Sequence, residues 1–178
     1  MENGLTHITL SNTAIADLYS KHLVILEDAN TNTKKAIEPA IDNKTDELLF
    51  LGNNKKNIAI CINDETATHL RDEWLQLLTN ILAACKLNIG DVAIINLHKQ
   101  STTFLQLKQK INPTYCLLFG ITTDILNLSF VLPNYKIQQH NACSFIIAPS
   151  LSLMEGNTQE AKLEKSKLWL SLKQMFHI

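Results

Sequence analysis

Polar residues that close apolar runs are the places in this sequence where chemistry could sit. Asp64 lies in Asn63-Asp64-Glu65, directly after the run Ile58–Ile62. Asn96 and His98 end the run 91–97 as Asn96-Leu97-His98, and Ser150 follows Phe145–Ala148 in Ala-Pro-Ser-Leu. If the runs are parallel strands, these groups share the carboxyl edge of the sheet, where α/β folds bind ligands. Asp64 would there serve as a catalytic or water-positioning acid, with Asn96 and His98 at the same mouth. Each group also has a structural reading. Asp64 and Glu65 suit the start of the following helix, where the dipole favours acids, and that reading is preferred. His98 reads more simply as a solvated loop histidine. Ser150 has no His or Lys close in sequence to activate it, so a cap or turn is preferred.

Other chemistries lack their residues. Five glycines form neither a dinucleotide-binding nor a P-loop pattern, and no Gly-x-Ser-x-Gly elbow is present. No cofactor is expected. The six histidines show no H-x-H or H-E-x-x-H spacing, and no metal site is expected. The four cysteines show no C-x-x-C and read as buried free thiols, which suits a reducing cytoplasm. No secretory leader and no membrane-spanning apolar run is expected, so the chain reads as cytoplasmic.

The chain has 178 residues, 46% of them hydrophobic and 19% charged, which is enough to build one well-filled core. Net charge is −1, and fifteen lysines accompany a single arginine, Arg71. Arginine is the preferred fork for phosphates and base edges. Direct nucleic-acid binding is therefore expected to be weak or absent.

The elements that would position the polar groups follow from periodicity. Residues 1–46 read as an appendage, with a helix over about 12–23 and a polar connector over 27–46. Leu48–Leu51 and Ile58–Ile62, joined by a turn-rich Gly52–Asn57, suggest a hairpin whose second strand is central and buried. Ala67, Leu70, Trp74, Leu77, Leu78, Ile81, Leu82 and Cys85 predict a long helix over about 65–86, with Trp74 buried. A strand over 91–97, a helix over 101–111 capped by Ser101 and a strand over 114–120 follow. Then come an irregular hairpin with a turn at Pro133-Asn134, a strand over 143–148 and a helix over about 157–176. That helix carries Leu168, Leu172, Met175 and Phe176 as a stripe, with Trp169 at its flank. Strands alternating with helices predict an α/β domain over 47–178, three layers deep (α/β/α), with a mainly parallel central sheet.

"IAICIND" before a long helix, "DVAIINL", "YCLLFG" and "FIIAPSLSLMEGNTQEAKLEKSKLWLSLKQMF" resemble the uracil-DNA glycosylase-like superfamily over about 57–176. Glycosylases of that fold carry a Gly- and Pro-containing loop after the first strand and a His-Pro-Ser type loop after the last. Here the first loop is Asn-Asp-Glu-Thr, and Ala148 stands where the histidine would be. The sequence is more similar to a non-catalytic branch, the psi-subunit family of bacterial DNA polymerase III. That resemblance implies a non-enzymatic subunit of the replication machinery that pairs with a chi-like protein and docks an N-terminal segment on the clamp loader. The expected catalytic set is then empty, and Leu18, Tyr19, Leu23 and Trp169 become the interaction candidates. Two alternatives remain: a divergent glycosylase-like enzyme using Asp64, Asn96 and His98, and an α/β domain that binds a small molecule.

Overall fold

A computed structural model of the chain describes residues 48–178. The expected helix at 12–23, the connector at 27–46 and the candidates Leu18, Tyr19 and Leu23 lie outside the described residues. Among those described, the chain forms an α/β fold with six strands and three α-helices. The strands are β1 (Leu51–Gly52), β2 (Ile58–Ile62), β3 (Val92–Asn96), β4 (Tyr115–Phe119), β5 (Ile137–His140) and β6 (Cys143–Ala148). The helices are α1 (Asp72–Ala84), α2 (Phe104–Lys110) and α3 (Gln159–Phe176).

The six strands make one mixed sheet in the order β1-β3-β2-β4-β6-β5. β3, β2, β4 and β6 are mutually parallel, and β1 and β5 pair antiparallel at the two edges. β2, β3 and β4 are near-continuous apolar runs because both faces of the sheet are covered. On one face Ile58, Ile60, Ile94, Leu117 and Ile146 pack with Trp74, Leu78 and Leu82 of α1 and Leu168, Leu172 and Met175 of α3. On the other, Ala59, Cys61, Ala93, Cys116 and Cys143 sit with Phe104 and Leu107 of α2 and with Leu126, Leu128 and Leu132. Alanines and cysteines share this face with Ile95, Leu118, Phe145 and Ile147, and its cover is one short helix and irregular chain. All four cysteines are buried and unpaired, as their placement in apolar runs predicts. Burial pushes the Cys143 thiol up to about 12, which keeps it protonated and unreactive.

Three expected elements are corrected. The hairpin between 48–51 and 58–62 does not form, because β1 pairs with β3 rather than β2. Asn54, Lys55 and Lys56 continue that attachment by donating their N–H groups to Val92, Gly90 and Asp91. Gly52 makes it possible: at φ +107° a Cβ here would lie 2.2 Å from the Val92 carbonyl oxygen. The long helix begins at Asp72, not near 65. The cap of α2 is Thr103, not Ser101. Its hydroxyl accepts the Gln106 N–H, and the Gln106 side chain reaches back in a capping box. The irregular hairpin is β5–β6, turned by Asn141 and Ala142 at positive φ.

Candidate functional site

The four parallel strands end together at Ile62, Asn96, Phe119 and Ala148. Their carboxyl edge gathers Asp64, Asn96 and His98, as the sequence predicts. What it does with them is different. Asn96, the last residue of β3, is fully buried, and its amide is committed to the two flanking loops. Its Oδ1 accepts N–H groups from Asp64 (3.0 Å) and His98 (3.1 Å). Its Nδ2 donates to the carbonyl oxygens of Asp64 (2.7 Å) and Ala67 (2.9 Å), with a longer contact to that of Thr68 (3.4 Å). One side chain thus satisfies the backbone of a loop that has no regular structure from Asn63 to Arg71.

Asp64 is 1% exposed. It is not at a helix N-terminus, and this corrects the preferred structural reading. The acids in the first turn of α1 are Asp72 and Glu73. The Asp64 carboxylate instead holds the loop in shape. Oδ1 accepts from the Thr66 N–H (3.0 Å) and hydroxyl (2.7 Å), and Oδ2 from the Arg71 N–H (3.1 Å). Arg71 Nε lies 3.5 Å from Oδ2 as an ion pair. The Thr66 and Arg71 N–H groups and the Ala67 carbonyl are thus bound by side chains rather than by a helical ladder.

Burial alone would raise the Asp64 pKa. The Thr66 hydroxyl, the Thr66 and Arg71 N–H groups and the Arg71 charge outweigh it and hold the carboxyl at about 2. A carboxylate so placed is a poor general base. Its stabilising effect is complete above the unfolded-state value near 4 and fades as pH falls toward about 2. Because the Arg71 side chain is 36% exposed and water screens its share, we expect at most about 2 kcal/mol of stability to be lost across that window. Urea titrations at pH 5 and pH 2.5 should show the loss, and Asp64→Asn should flatten it. An equally steep acid loss in Asp64→Asn would place the titrating group elsewhere.

The chain's only arginine joins this network to α1. The Arg71 guanidinium stacks on Trp74, 3.9 Å from the ring centroid, a use that a lysine ammonium serves less well. Trp74 is buried, as expected, and its Nε1 donates to Glu155 Oε2 over 3.4 Å. Asn96, Asp64, Arg71, Trp74 and Glu155 therefore tie the ends of β2 and β3, the start of α1 and the loop after β6 into one rim. Sequence spacing marks Asp64 and Asn96 but misses Arg71 and Glu155. Composition singles out Arg71 by its uniqueness.

His98 is exposed and its Nδ1 lies 3.1 Å from Asn63 Oδ1. It points to no Asp64 oxygen, so the three residues share an edge without forming an acid–base pair. Ser150 caps the turn Leu151–Met154, with its Oγ accepting from the Ser152 hydroxyl (3.0 Å) and N–H (3.4 Å). Gly120, at φ +65°, packs against Ser150, and a Cβ there would meet the Ser150 Cα at 3.1 Å. The loops after β4 and β6 thus close on each other. Among the described residues no group of three His, Cys, Asp or Glu could hold a metal ion, and no helix is long and apolar enough to cross a membrane. Trp169 is half-buried beside a groove between α1 and α3. Comparison with protein-family models and with curated proteins gives no match to this chain.

Proposed function

We propose that this chain is a non-enzymatic protein–protein interaction subunit, similar to psi, that serves the clamp loader of a cytoplasmic DNA replication machinery. The finer architecture goes with that reading: a three-layer α/β/α scaffold of the uracil-DNA glycosylase-like kind, with a mainly parallel sheet. The observation that carries it is the use made of the two best catalytic candidates. Asp64 and Asn96 spend their polar atoms on the backbone of their own rim, so neither is available to activate water or steady a leaving base. One arginine, engaged at that rim, and a net charge of −1 also leave little with which to grip nucleic acid.

The test is affinity capture of clamp-loader and chi-like subunits by the full chain, with and without residues 1–46. Recovery by the full chain and loss on deletion is the expected result. In parallel, the purified protein should release no uracil from single-stranded DNA. Uracil release that disappears in Asp64→Ala would overturn the reading in favour of the enzyme.

A further inference from the structure

Between α1 and α3 lies a groove of about 270 Å³, walled by Leu77, Ile81 and Ala84 on one side and Lys165, Trp169 and Leu172 on the other. Each wall repeats at i, i+4 and i+7, so each spans two helical turns, about 10 Å. Leu77, Ile81 and Trp169 are only partly covered. Leu170, 67% exposed, extends the apolar surface of α3 outward.

The charges around this groove are unequal. Lys162 and Lys173 lie seven residues before and four after Trp169, on the lip of α3, and the Lys173 ammonium is 6.0 Å from the Trp169 ring. With Lys165, whose ammonium also donates to the Gly156 carbonyl (2.7 Å), they make three cations, none in an ion pair among the described residues. The nearby α3 carboxylate, Glu164, is turned to the opposite flank, where it accepts from the Tyr135 hydroxyl and pairs with Lys167. The α1 lip offers neutral Asn80, with Glu73 one turn before Leu77 at the groove's end.

We propose that the α1–α3 groove docks an acidic amphipathic helix of a partner protein. The proposal rests on the reading of this chain as an interaction module and adds the surface and the chemistry of one partner. A helix supplies apolar side chains at the i, i+3, i+4 and i+7 spacing that a groove between helical walls accepts. Its flanking carboxylates meet the three lysines, and a basic helix is repelled by them. The apolar side chains lie in a recess rather than on a ridge, which a flat lipid surface does not reach. Trp169, ringed by aliphatic walls, is the natural anchor.

The test is a display selection of 14-residue helices, with apolar residues fixed at positions 1, 4, 5 and 8 and the rest randomised, against the full chain. Enriched peptides should be net negative. They should shift the fluorine resonance of 5-fluorotryptophan at Trp169 and leave that of Trp74 in place. The surface variant Lys162→Glu/Lys165→Glu/Lys173→Glu should bind them at least tenfold more weakly and select basic peptides instead. The proposal is overturned by an absence of enrichment, by neutral or basic winners, by unchanged binding to the triple variant, or by self-association that occupies Trp169. If the triple variant still captures the clamp loader while no acidic peptide is enriched, the groove fails and the proposed function stands. If acidic peptides bind at Trp169 while the clamp loader is never captured, the proposed function fails and the groove stands.

Discussion

Replacing Asn96 by alanine should destabilise the fold by about 3–5 kcal/mol, one of the largest single effects in the molecule. The side chain makes hydrogen bonds to the N–H groups of Asp64 and His98 and to the carbonyls of Asp64 and Ala67. It does so at a position without solvent contact. Removing it strands several backbone groups at about 1–3 kcal/mol for each one that stays dry, offset where water enters the vacated space. A midpoint lowered by about 10–20 °C is the thermal equivalent. Asn96→Asp keeps the shape but turns the donor toward Asp64 and Ala67 into an acceptor and adds a charge beside Asp64. It should be no milder at neutral pH. Urea unfolding of wild type and both variants decides the matter. A loss below about 1 kcal/mol for Asn96→Ala would mean that the rim is held by something else, and the residue would again be open to a functional role.

Trp74→Ala should cost a similar amount, about 3–5 kcal/mol, for a different reason. Trp74 is 3% exposed and packs in the core under α1, so truncation leaves a cavity as well as losing buried area. It also removes the face on which Arg71 lies and the tie to Glu155. Trp74→Phe separates the two contributions. It keeps an aromatic face for the guanidinium and much of the volume, and should cost about 1–2 kcal/mol. If the two variants fall together, the indole N–H rather than the packing carries the effect. The chain has two tryptophans, so Trp169 is the one indole left in either variant, and its fluorescence reports unfolding in both.

The two variants bear on function because they address the same rim. In an active site, polar groups at the carboxyl edge are kept available for a ligand at some expense to stability. Here the same positions are fully engaged. Their removal is expected to read out in folding free energy, with no reaction to lose. That contrast is what the proposed non-enzymatic role predicts for these positions.

Much of this arrangement is legible in the order of residues. β2, β3, β4 and β6 are short apolar runs bounded by polar or turn residues, and their limits fall within a residue or two of those expected. The core stripe of α3 is also readable, because a helix buries one face at a fixed period. Asp64 and Asn96 can be placed at one edge of the sheet, since each closes a run. What they do there is not legible. Asp64 takes up N–H groups two and seven residues ahead, and Asn96 reaches a loop about thirty residues behind it. Neither contact leaves a periodic trace. For the same reason periodicity starts α1 too early. The apolar spacing continues back through Leu70 and Ala67, but Asp64 holds the Thr66 and Arg71 N–H groups and Asn96 the Ala67 carbonyl outside any helix.

By itself, then, the sequence determined which segments are buried, their type and their order, because burial of apolar side chains follows local period and run length. The tertiary structure decided that β1 joins β3, through a backbone approach only Gly52 permits. It decided that the edge residues serve as a staple, and that Trp169 stands by a groove with lysines on one lip. These depend on hydrogen bonds and charges between residues distant in sequence, and such pairings are fixed only once the sheet has brought the strand ends together.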